Sequence, residues 1–130
     1  MLINFSNHLS TKWSEKQLAA ALMTYGSVLD LPFPEIDASA SENEICALAL
    51  DKVSEIAALA PDAVLCQGEF SFTFAVAAEL MRRGVPVICA TSERRAFEVK
   101  APDGSTHKQI VFRFEKFREY RTISPLERGE

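Results

Sequence analysis

Several things are scarce or missing in this chain, and each absence removes a class of function. There is no basic excess: 14 Lys and Arg stand against 18 Asp and Glu, a net charge of −4. That argues against broad binding to polyanions such as duplex nucleic acid, while a small anionic ligand in a local pocket stays open. No stretch approaches the ~20 apolar residues of a membrane span. The opening Met1-Leu2-Ile3-Asn4-Phe5-Ser6 lacks the basic flank and the long apolar core of a secretion signal. No membrane partner is expected. The GxGxxG turn, the GxxxxGK[ST] loop and the GxSxG elbow are absent, which disfavours dinucleotide, P-loop and serine-hydrolase readings. No His, Cys or carboxylate cluster has metal-ligand spacing, so the expected site has no metal and no cofactor. Cys46, Cys66 and Cys89 are an odd, widely spaced set in apolar surroundings. Free buried thiols in a reducing cytoplasm are the reading they support best.

With 130 residues and 48% hydrophobic content, the chain suits one soluble domain with a real core. We expect that domain over residues 1–121 and a frayed tail over 122–130. Ile3 and Phe5 mark a first short strand that ends at Ser6-Asn7-His8. Ser14 and Gln17 have capping-box spacing, and Leu18, Ala21, Leu22 and Tyr25 repeat helically up to Gly26. A second strand, Ser27 to Leu31, runs into Pro32-Phe33-Pro34. Ser41 and Glu44 open a second helix with Ile45, Leu48, Ala49, Val53, Ile56 and Ala57 on one face. Ala63 to Cys66 is a strand buried on both faces. A third helix is predicted over Phe72 to Arg83, with Phe74, Ala77, Ala78 and Met81 inward. Val85 to Ala90 is the fourth strand.

Alternation of strand and helix implies an α/β fold. The predicted architecture is a Rossmann-like open sheet of four parallel strands, order 2-1-3-4, with helices on both faces. After Ala90 the pattern changes. Thr91 to Arg95 reads as a polar loop, and a C-terminal antiparallel β-hairpin follows around Asp103-Gly104. Its Ile110, Phe112 and Phe114 fall on one face and Val111 and Phe117 on the other. Such a two-faced apolar hairpin at a sheet edge suggests a homodimer.

Ligands of open parallel sheets bind beyond the carboxyl ends of the strands, where the strand order reverses. Order 2-1-3-4 would bring Ser6, Asn7 and His8 beside the turn Gln67-Gly68-Glu69, with Ser92 and Arg94 next along. Ser71 and Thr73 would lie in the first turn of the third helix, where free amides attract anions. Amides, an imidazole, hydroxyls and guanidinium groups suit a phosphate-bearing ligand. An imidazole exchanges protons near neutrality, which makes His8 a candidate acid or base. Plainer roles stay open: strand termination for Ser6 to His8, a turn for Gly68, a helix cap for Glu69, surface for His107. Trp13 reads as core anchor or lid, and Phe33 as a base platform or loop packing.

The segments Leu2 to His8, Gln67-Gly68-Glu69-Phe70 and Ser92-Glu93-Arg94-Arg95 resemble those of small stand-alone Rossmann-like proteins of CRISPR loci. These are CARF-like proteins of the ring-nuclease type. The resemblance covers about residues 1–120. It implies a cytoplasmic homodimer that binds cyclic oligoadenylate across two subunits. It further implies metal-independent cleavage, in which a ribose 2′-OH attacks the neighbouring phosphate. By that likeness Asn7 and Gln67 would orient phosphate or ribose, Ser71 and its helix N-terminus would hold a phosphate, and His8 or Arg94 would stabilise the transition state. The acidic net charge departs from a polyanion-binding pattern.

Overall fold

The computed structural model describes residues 1–124, 126, 128 and 129. Pro125, Glu127 and Glu130, part of the expected frayed tail, lie outside the described residues. The element order is β1 Leu2–Ser6, α1 Glu15–Tyr25, β2 Val28–Asp30, α2 Glu42–Ala58, β3 Ala63–Gln67, α3 Phe70–Arg82, β4 Val87–Lys100 and β5 Thr106–Glu119. A 3-10 turn over Ser10–Lys12 precedes α1. No helix is long and apolar enough to cross a membrane among the described residues.

The five strands form one sheet in the order β2-β1-β3-β4-β5. β2, β1, β3 and β4 pair in parallel, and β5 runs antiparallel to β4. The sheet is therefore mixed, and the hairpin is its fifth strand rather than an appendage to four parallel ones. The expected polar loop at Thr91 to Arg95 does not exist. β4 runs unbroken from Val87 to Lys100, paired with β5 along its length. The reason for the difference is physical. The outer hairpin arm is solvated on both faces, so no apolar alternation marks it as a strand.

A bulge at Glu115 shifts the register between Thr91 and Ser92. Thr91 Oγ1 donates to the Lys116 carbonyl at 2.9 Å and accepts from the Lys116 amide at 3.3 Å. One extra residue turns the side chains that follow to the other face. Phe117 therefore joins Phe114 and packs on it at 5.0 Å between ring centroids. The aromatic side chains of β5 share one face, which corrects the two-faced reading.

Two cores flank the sheet. Ile3, Phe5, Val64 and Cys66 pack against α2 and α3, while Leu2, Ala63, Leu65 and Ile88 pack against α1 through Ala21. α2 keeps the expected capping box of Ser41 and Glu44 and buries Ile45, Ala49, Val53 and Ile56. In α1 the Ser14 hydroxyl accepts from the Gln17 amide, and Gly26 ends the helix at φ 82°. Leu18 and Leu22, expected inward, are exposed, because α1 packs through the narrow Ala21 face.

The inward face of α3 also differs from expectation. Phe72, Val76, Ala77 and Leu80 are buried, whereas Phe70 and Phe74 are 93% and 74% exposed. With apolar residues almost all round the helix, periodicity does not select a face. The cysteines are free, but Cys46 is exposed and Cys89 half-buried, so the expectation of buried thiols holds for Cys66 alone. Burial pushes the Cys66 thiol up to about 12.

Candidate functional site

The structural centre of the site is a polar network that begins inside β1. Asn4 is 2% exposed, yet it sits on a strand of aliphatic and aromatic neighbours. Its side-chain amide donates to the His8 carbonyl at 2.8 Å and to Asp30 Oδ1 at 2.7 Å. Its carbonyl oxygen accepts from the Ser6 hydroxyl at 2.7 Å. Asp30, the last residue of β2, also accepts from the Ser10 amide at 3.0 Å and the Ser10 hydroxyl at 2.7 Å. The segment between β1 and the 3-10 turn is thus tied from both ends, and His8 is held at the carboxyl edge of the sheet. A buried amide must find partners, and here the partners are the loop itself.

Burial pushes the Asp30 carboxyl up, but the hydrogen bonds from Asn4 and Ser10 outweigh it and hold the group below its ordinary range. A depressed carboxyl stabilises the fold fully above the ordinary carboxylate range and loses that contribution as pH falls through its folded-state value. Asp30→Asn is expected to cost about 1–3 kcal/mol at pH 7. It should also flatten the acid side of the stability profile, read as urea midpoints at pH 7 and in acid. A variant with the wild-type acid profile would remove Asp30 from this role.

β3 carries the second half of the site. Its ladder to β4 runs through Val64–Val87 and Leu65–Ile88. Beyond it the side chain of Gln67 takes over, with Oε1 accepting from the Ala90 amide at 2.8 Å. With one lone pair of its oxygen engaged there, the side chain still offers its two N–H donors. Gly68 follows. A Cβ there would lie within 2.8 Å of three ring carbons of Phe33. Phe33 packs on Phe5 at 5.0 Å and on Phe72 at 5.4 Å. This decides between its two readings: Phe33 packs beneath the loop, and Gly68 is a glycine because an aromatic ring occupies the space of a side chain.

Around these groups lies a cavity of about 500 Å³. Of the residues singled out in the sequence, Ser6, Asn7, His8, Gln67, Gly68 and Ser92 line it together. Sequence reasoning did not assign Lys12, Ser14, Gln17, Phe112 and Phe114 to it, yet they line it as well. Trp13 lines the cavity and packs on Phe117 at 6.3 Å. Among the described residues no Asp or Glu lines the cavity, although the chain carries 18 acidic residues. The lining offers amide and hydroxyl donors, one ammonium, one imidazole and three aromatic rings. Among the described residues, no group of three His, Cys, Asp or Glu side chains is placed to hold a metal ion.

Three expected site residues lie elsewhere. Ser71 and Thr73 line separate hollows against α2 and the chain after β5. The N-terminus of α3 is already filled by the protein's own anion. Glu69 accepts from the Phe72 amide at 3.0 Å, and the Ser71 hydroxyl donates to the same carboxylate at 2.8 Å. The Phe72 amide and Ser71 hydroxyl hold the Glu69 carboxyl below its ordinary range. Thr73 Oγ1 is buried without a hydrogen-bond partner among the described residues. The helix whose N-terminal turn does reach the cavity is α1, through Ser14 and Gln17. Arg94 does not line the cavity. It pairs with Phe112 in the β4–β5 ladder, two residues beyond Ser92 and so on the same face but farther out. Arg95 lies on the other face, bound to Glu93 at 3.1 Å.

A family model described as the uncharacterized protein MJ1673 family matches residues 1–118, which takes in every strand of the sheet apart from the last residue of β5. No curated protein matches the chain. The β1 network, the Gln67-Gly68 turn and the aromatic wall of β5 all fall within the matched residues, and the chain belongs to the MJ1673 family.

Proposed function

We propose that this cavity binds a small phosphate-bearing ligand of the nucleotide class, and specifically cyclic oligoadenylate, on a Rossmann-like scaffold. The observation that carries the reading is the acid-free lining in an acidic chain. An anion entering it meets Lys12, His8, the donor groups of Gln67 and the first turn of α1, and no Asp or Glu stands among the described lining residues. The three rings supply an apolar wall of the kind a base requires. The strand order supports the same place, since ligands of such sheets sit where the order reverses, between β1 and β3. The proposal keeps the CRISPR-associated, ring-nuclease type of activity implied by the resemblance.

In that activity the 2′-oxygen of one ribose attacks the adjacent phosphorus and the P–O5′ bond breaks. A 2′,3′-cyclic phosphate and a 5′-hydroxyl result, so the proton lost at the 2′-oxygen is balanced by one gained at the 5′-oxygen. In this reading His8 moves that proton, which its position in the lining supports. Asn7 and Gln67 orient the phosphate, and Ser6 and Ser92 contact the ligand. Arg94, outside the lining, acts at most on the part of a ring that projects beyond the cavity. A ring larger than one cavity fits a homodimer that shares it between two subunits.

A second reading, a sensor that binds without turnover, is favoured by one observation: among the described residues the lining holds a single imidazole and no carboxylate as its partner. Incubation with cyclic tetra- and hexa-adenylate, followed by chromatography, separates the two. Linear products, slowed at least about tenfold by His8→Ala, are expected of the enzyme. Binding with the ring intact is the sensor's result. Neither binding nor turnover would overturn both.

A further inference from the structure

We infer that Phe112 is the base-stacking residue of this cavity and that Lys12 supplies its phosphate contact, an inference that rests on the nucleotide reading above. Three aromatic residues of β5 share the cavity-side face, and they are not equivalent. Phe114 is 8% exposed and packs on Phe117, which in turn packs on Trp13. Those rings hold the sheet to the turn before α1. Phe112 makes no ring contact among the described residues and is 67% exposed, although it borders the cavity. A large ring left uncovered beside a polar cavity offers one free face for stacking, and an aromatic face accepts any base without reading its edge. Lys12 ends the 3-10 turn and is the only ammonium among the described lining residues. Ring and ammonium thus come from different elements, and together they would distinguish a nucleotide from a bare phosphate or a bare base.

Trp13, the only tryptophan of the chain, lines the same cavity and reports on it directly. The test follows Trp13 fluorescence while the full chain, Phe112→Ala, Phe112→Trp and Lys12→Ala are titrated with cyclic tetra-adenylate and with its abasic counterpart. Wild type is expected to prefer the base-bearing ring by about tenfold or more. Phe112→Ala should erase that preference and Phe112→Trp should restore it, with the added tryptophan's own signal calibrated on the free protein. Lys12→Ala should weaken both ligands alike and reduce the salt dependence of binding. If Phe112→Ala keeps the wild-type preference, the stacking assignment fails while the nucleotide reading stands. If it leaves affinity unchanged but alters the sedimentation coefficient, Phe112 belongs to a subunit contact and the inference is overturned. If wild type binds neither ring, both readings fall together.

Discussion

Gln67→Glu is expected to lower the affinity for cyclic tetra-adenylate by about 100-fold, which corresponds to ~2.7 kcal/mol, with the fold left intact. A glutamate oxygen can still accept the Ala90 amide, so the bridge between the ends of β3 and β4 survives. What changes is the rest of the group. The two donors of the amide become an acceptor, and a negative charge enters a lining that has none among the described residues. Gln67→Ala provides the contrast. It removes the acceptor from the Ala90 amide, so it should lower stability by about 1 kcal/mol and weaken binding less than the charged variant does. Calorimetric titration and urea unfolding on both variants check this. Equal affinities in Gln67→Glu and wild type would show that the donors of Gln67 do not face the ligand.

The second large effect concerns stability. Gly68→Ala is expected to cost about 2–3 kcal/mol, because the new methyl would sit within 2.8 Å of three Phe33 ring carbons. That ring cannot simply turn away, being packed on Phe5 and Phe72. Phe33→Ala alone should cost about 2–4 kcal/mol through the lost packing. The double variant is where the explanation is exposed. Once Phe33 is gone the methyl has room, so the two losses should not add, and the coupling should reach at least about 1 kcal/mol. Additive losses in urea unfolding would mean that the Phe33 ring is not what excludes a side chain at Gly68.

These two positions also show which parts of the fold are legible in the amino-acid sequence. The turn Gln67-Gly68 is visible because an apolar run stops there and a helix begins. The caps at Ser14, Ser41 and Gly26 are visible because they satisfy local backbone groups within a few residues. Strand order 2-1-3-4 follows from the alternation of strands and helices, and with it the gathering of Asn7, His8, Gln67 and Ser92 around one cavity. What escapes is whatever depends on distant packing. The inward face of α3 is hidden because Phe70, Phe72 and Phe74 make the helix apolar on several sides. The bulge at Glu115, which swings Phe117 towards Trp13, has no local marker.

Asn4 and Asp30 are the sequence signal with the most unused information. Asn4 is a polar residue inside an apolar strand and Asp30 ends another, and each lies on the face that meets α1. Two such residues on neighbouring strands are in register in the parallel ladder, Asn4 beside Asp30. Their pairing is what fastens His8 at the sheet edge. The contributions of Lys12, Phe112 and Phe114 are out of reach of local patterns, since the site draws them from a 3-10 turn and from a strand more than 90 residues later. Ser71 and Thr73 are suggested by their place on a helix start, and the Glu69 carboxylate already occupies that start.

The most direct test of the central claim is calorimetric titration of the wild-type protein with cyclic tetra-adenylate, repeated with Gln67→Glu. The expected result is saturable binding with a Kd below about 10 µM, weakened about 100-fold in the variant. No heat at about 1 mM ligand, or equal binding by both proteins, would contradict the assignment of this cavity to a nucleotide.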